Sequence, residues 1–332
     1  IFLFDRMHPE SRIDTMQNIK FKTCIIDGQE RYAFATIDEN GQMTEMPAQM
    51  FPESLLSFMD IDMSRVSELF SAMNDCIISL PDIADTKYLD KLLYILEALA
   101  QQHIYFELFR LDWTGRIRQA QSANVVKSQW RKCKVRNMPK VLKGIQHQAK
   151  ELFVNALDYD RGNGTVLEKA VSYYKMMDGA AFSFRPQFMH FELWDDSAFA
   201  EVLYPESICG LISYHLQECV KRELRFRICK NCGRYFYMSG RNTAMYCYSP
   251  YDENGHTCRR IAPVRAWSER NQKDKIFHEY RREYKRRFAW INAGKIERDA
   301  FYAWSKQAKE KKAECAAGII SYEDFIEWLR AL

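Results

Sequence analysis

At 332 residues, with 47% hydrophobic, 14% aromatic and 28% charged positions, the chain has ordinary globular composition and enough length for two domains. Thirteen glycines and nine prolines exclude a collagenous or linker-rich polymer, and the lack of any apolar run of about 18 residues excludes a membrane-spanning helix. The formal net charge is only +4, yet residues 221–312 hold 24 Lys and Arg against 10 Asp and Glu, leaving 24 basic and 34 acidic residues elsewhere. That asymmetry points the basic segment toward an anionic partner.

The opening Ile1-Phe2-Leu3-Phe4-Asp5-Arg6 has no basic leader before its short apolar stretch and does not read as a secretory signal. It lacks an initiator methionine, which leaves room for native residues upstream of Ile1. Phe21 to Ile26 runs into Asp27-Gly28 and then Arg31 to Ile37, the pattern of a short β-hairpin. Asp38-Glu39-Asn40-Gly41 offers a further turn. From Ser64 to about Gln102 the apolar spacing becomes helical. Val66, Leu69, Phe70 and Met73 share one face, Leu89, Leu92, Leu93 and Leu96 another, and Pro81-Asp82 separates the two helices. Val141, Ile145 and Leu152 mark a third helix. Residues 158–164, Asp-Tyr-Asp-Arg-Gly-Asn-Gly, form a polar turn with no Gly-Lys-Ser/Thr to make it a phosphate loop. An extended stretch is expected around Phe182 to Leu193. Pro205 then opens a helix whose stripe is Ile208, Leu211, Ile212 and Leu216. No repeat of 20–50 residues is present. The expected organisation is a mostly helical, acidic domain over 1–200 and a metal-binding module with a basic helical tail over 201–332. In class the chain is mainly α (α+β).

Ten cysteines are too sparse for a disulfide scaffold. Cys24, Cys76, Cys133, Cys209, Cys219 and Cys315 are scattered, whereas Cys229, Cys232, Cys247 and Cys258 crowd together as Cys-x2-Cys-x14-Cys-x10-Cys. Two residues between thiolates let a tight knuckle aim both sulfurs at one tetrahedral ion. Gly233 lets the chain turn back around it. Arg225-Phe226-Arg227-Ile228 alternates as a strand does, and Tyr235-Phe236-Tyr237 is its expected partner. The spacing therefore predicts a zinc-ribbon-like module with four cysteine ligands. His256 is the alternative to Cys258, and a disulfide or four core thiols is the competing reading. Four protein ligands leave no coordination position for water, so the Zn2+ is expected to be structural. Clustered thiols in a chain without a secretory signal imply a reducing, cytoplasmic setting.

Leu224 to Cys229, then Cys232-Gly233-Arg234-Tyr235-Phe236, then Tyr246-Cys247 resembles the CGNR-type zinc fingers of bacterial proteins. The likeness is greater still to a bacterial family of unknown function in which a Tyr-Lys-Arg-rich helix and a short terminal helix follow the finger. Here Tyr280 to Arg286, Gly294-Lys295-Ile296 and Ile320 to Phe325 look like that pattern, and the resemblance spans about 205–332. It implies zinc bound by Cys229, Cys232, Cys247 and Cys258, and DNA binding in a regulatory role. Cys258 is followed by Arg259-Arg260, where those fingers carry Gly-Asn-Arg.

From Trp267 to about Asn292 the pattern predicts one long helix ending near Gly294. Phe277, Tyr280, Tyr284, Phe288 and Ile291 form its apolar face, while Arg281, Arg282, Lys285, Arg286 and Arg287 fall to the other sides. With Arg259 and Arg260, these are the expected contacts to nucleic-acid phosphates, DNA rather than RNA. The alternative is a solvated basic surface. Ser321-x-x-Asp324 predicts a cap for a terminal helix carrying Phe325, Trp328 and Leu329.

Catalytic motifs are lacking: there is no His-Glu-x-x-His, Gly-x-Ser-x-Gly or Walker loop. His8, His103, His147, His190, His215, His256 and His278 are dispersed and read as structural. His190 and Glu192 share a strand face without implying chemistry. Three functional readings compete. The first is a zinc-stabilised nucleic-acid-binding protein, with a protein partner or ligand met by the N-terminal domain. The others are a zinc-stapled interaction scaffold without catalysis, and an enzyme whose N-terminal site is assembled from residues distant in sequence.

Overall fold

Asp27 and Gly28 both take positive φ, +51° and +75°, the backbone of a two-residue hairpin turn whose twist matches that of its strands. Around it β1 (Ile19–Ile26) pairs with β2 (Gln29–Thr36) in unbroken register from Ile26↔Gln29 to Ile19↔Thr36. This computed structural model describes residues 19–36, 44–133, 135–177, 181–195, 198–240 and 243–331. The turn expected at Asp38-Glu39-Asn40-Gly41 lies outside the described residues.

The hairpin is only part of a larger sheet. Short β3 (Thr44–Glu45) and β4 (Gln49–Met50) flank β2, and a second hairpin, β5 (Met189–Asp195) and β6 (Ala198–Leu203), joins β1 through Thr23↔Leu203. The order is β3-β2-β1-β6-β5, antiparallel at every pair. Sequence pattern cannot announce a pairing between segments this far apart, which is why only the local hairpin was legible.

The helices of this unit are α1 (Glu53–Met59), α2 (Met63–Ile78), α3 (Thr86–Ala100), α4 (Tyr105–Ala123), α5 (Met138–Leu152) and α6 (Val166–Met177); α2, α3 and α5 stand where the apolar spacing places them, whereas α1, α4 and α6 fall outside those expectations. Asp62 and Asp85 cap α2 and α3 by accepting from Ser64 N and Lys87 N, both at 2.9 Å. Their apolar stripes meet Phe21 and Tyr32 of the sheet in one large core. The next helix, α7 (Ile208–Lys221), starts three residues later than Pro205 suggested. Ser207 supplies the cap, its Oγ accepting from Gly210 N at 3.1 Å.

Helix α7 also corrects the expected domain boundary. Ile208, Leu211, Ile212, Leu216 and Cys219 all belong to the core built on α1–α6. The chain divides into two compact units between Met245 and Tyr246, not near residue 200.

The second unit is all-helical in its ordered elements: α8 (Cys258–Asn271), α9 (Lys275–Asn292), α10 (Arg298–Ala316) and α11 (Tyr322–Arg330). The single helix expected over 267–292 is broken. Asp274 caps α9 by accepting from Phe277 N at 2.9 Å, so a new helix starts there. Ala308, Cys315, Phe325 and Leu329 form the small core, with Ile276, Tyr280 and Trp304 packed against it. Ser321 caps α11 as expected, accepting from Asp324 N at 3.0 Å. Among the described residues no helix is long and apolar enough to cross a membrane.

Candidate metal centre and basic surface

The knuckle begins on β7 (Phe226–Ile228), which pairs with β8 (Tyr235–Tyr237) from Phe226↔Tyr237 to Ile228↔Tyr235. Between them Gly233, at φ +74°, donates to Cys229 O at 2.9 Å while Cys229 N donates to Arg234 O at 2.8 Å. Only a residue that tolerates the left-handed region closes this turn without strain. Phe153, at the end of α5, packs against Phe226 and Tyr235 with ring centroids 4.6 and 5.4 Å away.

The polar turn at 158–164 braces the same hairpin. Tyr159 N donates to Phe226 O at 2.8 Å, and Tyr235 donates through its hydroxyl to Asp158 at 3.3 Å. Arg227, only 9% exposed, grips Asp160 through Nε and Nη2 at 2.8 and 2.7 Å and donates Nη1 to Ala244 O at 2.7 Å. The turn with no phosphate-loop character is therefore a clamp on the knuckle.

The second cysteine pair is brought together by its own loop. Pro250 and Thr257 form an antiparallel bridge. Tyr251 N donates to His256 O at 2.8 Å, and Arg259 N donates to Cys247 O at 3.0 Å. Asp252 holds the tip, accepting from His256 N at 2.9 Å and meeting His256 Nδ1 at 2.8 Å. Cys258 is the first residue of α8.

The sulfurs of Cys229, Cys232, Cys247 and Cys258 all lie within 4.8 Å of one another and can hold a metal ion. Cys229, Cys247 and Cys258 are buried and Cys232 is half-buried. His256 is outside this group, its Nδ1 engaged by Asp252. None of the ten cysteines forms a disulfide, which removes the disulfide reading. Four thiolates this close repel one another unless a cation neutralises them.

The basic residues divide by role. Arg259, Arg260, Arg281, Arg282, Lys285 and Arg286 are exposed or half-buried. On α9, Arg281, Arg282, Lys285 and Arg286 occupy one arc, as steps of one, four and five residues do on a 3.6-residue helix. Arg282 pairs with Glu279, and Arg286 pairs with Glu283 at 2.6 Å. Arg281 lies over the Trp267 ring at 4.9 Å, and Arg259 over Tyr248 at 4.7 Å. Arg287 is the exception. It is 6% exposed, donates to Leu329 O at 3.2 Å and Ala331 O at 2.6 Å, and lies 4.6 Å from the centroid of Trp304. It caps α11 and is withdrawn from any phosphate. The inward face of α9 is correspondingly mixed, with Glu283 and Arg287 buried, while Phe288, expected on that face, is 48% exposed.

One constellation in the first unit had no sequence signal. Glu30, Tyr32, Ser54, His103, Tyr105 and His215 converge from β2, α1, α4 and α7 and the α3–α4 connection. Tyr32 donates to Glu30 Oε2 at 2.6 Å, Ser54 N donates to Glu30 Oε1 at 2.7 Å, and the Tyr105 hydroxyl lies 2.5 Å from His215 Nδ1. His103 Nε2 lies 3.0 Å from Ser54 O. Desolvation pushes Glu30 up to about 7 against its hydrogen bonds, and desolvation pulls His103 down to about 4 and His215 to about 3. Glu30 and His215 are fully buried and Ser54 is 1% exposed, whereas His103 is half-buried, its Nε2 also 3.0 Å from the exposed Ser57 hydroxyl. They tie elements together. His190 and Glu192 do share a face, His190 edge-on to Tyr204 and Glu192 accepting from Tyr204 at 2.7 Å.

A family described as a family of unknown function (DUF6076) matches residues 182–326, a segment that contains β5 to β8, the four clustered cysteines and α8 to α10. No curated protein and no solved structure matches the chain.

Proposed function

We propose that the chain is a cytoplasmic, zinc-stabilised nucleic-acid-binding protein, its four-cysteine module zinc-ribbon-like and its basic helices directed at phosphates. Four soft thiolate ligands favour zinc over hard cations such as Ca2+ and Mg2+. Zinc sits about 2.3 Å from each sulfur, which sets tetrahedral sulfur–sulfur distances of about 3.8 Å. A small contraction from the present 4.8 Å limit meets that. The closed ligand set makes the ion structural: it holds Cys258, and with it the first turn of α8, where Arg259 and Arg260 project.

The observation that carries the nucleic-acid reading is the arc of Arg281, Arg282, Lys285 and Arg286 on the outer side of α9. Arg282 and Arg286 are partly neutralised by Glu279 and Glu283, so Arg259, Arg260, Arg281 and Lys285 are assigned the principal contacts. Arg287 is removed from the set. The resemblance to CGNR-type fingers favours DNA over RNA, with a regulatory role.

The test is fluorescence anisotropy of the metal-loaded full chain with labelled duplex DNA, single-stranded DNA and RNA across a salt series. Four phosphate contacts predict a salt slope of about −3.6, or a loss of about 10²-fold in affinity between 50 and 200 mM. R260E/R281E/K285E should abolish most of that slope. Binding unchanged in this variant, or absent from the wild type on all three probes, overturns the reading. Elemental analysis should find one zinc per chain.

A further inference from the structure

Three large aromatic side chains of the second unit stand half in water beside the cations assigned to phosphates. Tyr248 is 64% exposed, Trp267 40% and Phe288 48%. Arg259 lies over the Tyr248 ring at 4.7 Å, and Arg281 over the Trp267 ring at 4.9 Å. On α9, Phe288 follows Lys285 by three residues and Arg281 by seven, which sets it on their side of the helix. On α8, Trp267 follows Arg260 by seven residues and shares its side, with Val264, 66% exposed, between them. Neighbouring rings hold two of the three in place. Phe277 meets Trp267 edge-on at 5.4 Å. Tyr284 lies parallel to Phe288 at 6.5 Å, within 5°, and Phe301 meets Phe288 edge-on at 5.8 Å. The acidic side chains of these two helices point elsewhere. Glu269 of α8 falls about 160° around the helix from Trp267 and pairs with Arg265. Glu279 and Glu283 of α9 each fall about 160° from Arg281.

We infer that the nucleic acid met by this surface is single-stranded, its unpaired bases stacking on Tyr248, Trp267 and Phe288 while Arg259, Arg281 and Lys285 hold the phosphates between them. The inference rests on the phosphate-binding reading above and narrows it. In a duplex the bases stack on one another and show only their edges in the grooves, so the three rings would gain no partner. A single strand turns its base faces outward. Each base stacked on an aromatic ring then adds to binding whatever its identity, because every base has a π-face. Apolar side chains scattered singly over a surface need no ligand. These three differ because each sits beside a cation of the phosphate-binding set. Rings already held by other rings also spare the cost of ordering them when the strand arrives. A guanidinium laid over a ring, as Arg259 and Arg281 are, offers its own plane to a base as well.

The experiment is fluorescence anisotropy of the metal-loaded full chain with four labelled probes of about 20 nucleotides: oligothymidine, oligouridine, an abasic strand and a duplex. Three stacked bases, each worth about fivefold or more, predict that a strand with bases binds about 100-fold more tightly than the abasic strand. It should also bind at least about tenfold more tightly than the duplex. The stronger of oligothymidine and oligouridine names the sugar that the surface prefers. W267A/F288A keeps every charge, so its affinity for the preferred strand should fall about 25-fold with the salt slope retained. A wild type that binds the abasic strand or the duplex as tightly as both base-bearing strands overturns the inference and leaves phosphate binding standing. Absence of binding to all four probes overturns both. A variant with wild-type zinc content that keeps the full preference over the abasic strand overturns the inference too. Should the variant misfold, the abasic comparison decides, because it is made on the wild type alone.

Discussion

Arg227 reaches Asp160 across the base of the metal knuckle with two hydrogen bonds, 2.8 and 2.7 Å long, while its third contact holds Ala244 O at 2.7 Å. A guanidinium 9% exposed thus fastens three separate stretches: the polar turn, β7 and the segment that leads to Cys247. Charge-assisted, bidentate bonds of this kind exceed neutral ones in strength.

Arg227→Ala should therefore cost about 2 kcal/mol, a value reduced from the fully buried case because Asp160 is half in water. Urea denaturation measures it. A chelator competition should show metal released more readily from the variant, since the knuckle is no longer pre-positioned. Unchanged metal retention would mean that the four sulfurs organise themselves without the clamp.

Arg287→Met separates structural from electrostatic arginines. Arg287 serves the last carbonyls of α11, a placement favoured at a helix C-terminus. Its loss should lower stability by about 1.5–3 kcal/mol, the worth of hydrogen bonds to a charged group. The salt slope of nucleic-acid binding should stay as in the wild type. A slope reduced by about one unit would return Arg287 to the phosphate contacts.

The contrast between those two arginines shows what the linear sequence discloses. The Asp27-Gly28 turn, the Cys-x2-Cys-Gly knuckle with its two strands and the Ser321 cap are local, and each was legible because its determinants lie within a few residues. Arg287 looked identical to Arg286, one position before it. Only the arrival of the α11 carbonyls distinguishes them, and that is tertiary. The split between α8 and α9 turned on one Asp274 cap hidden in a polar run, and periodicity ran straight across it. The joining of β5–β6 to β1 and the gathering of Glu30 with His215 depend on chain reversals that no spacing encodes.

Removing the metal should loosen the start of α8. Cys258 is its first residue and is buried, so a chelator, or Cys258→Ser, frees the turn that holds Arg259 and Arg260. Limited trypsin digestion should then cut after Arg259, Arg260 or Arg265 about tenfold faster than in the metal-loaded chain. Equal rates would show that the helix start is fixed by packing alone.

The buried network sets a pH dependence whose sign follows from its three titrating groups. Desolvation holds Glu30 at about 7, above its ordinary 4.5. Its contribution is complete below about pH 4.5 and is lost as pH rises through 7, a change of roughly 3 kcal/mol at about 1.36 kcal/mol per pH unit. His103 and His215 are held down, to about 4 and about 3, by the same desolvation. Their contributions are complete above about pH 6.5 and are lost as pH falls toward those values. Between about 4.5 and 6.5 two histidines outweigh one carboxyl, so stability rises with pH. Between about 6.5 and 7 only Glu30 titrates and stability turns down. Glu30→Gln keeps a hydrogen-bonding group of the same shape but cannot ionise. In urea denaturation at a series of pH values, the variant should gain stability more steeply than the wild type between about pH 4.5 and 6.5, because the opposing carboxyl is gone. It should also lose the decline above about pH 6.5. A decline that persists in the variant would place its origin in some other group.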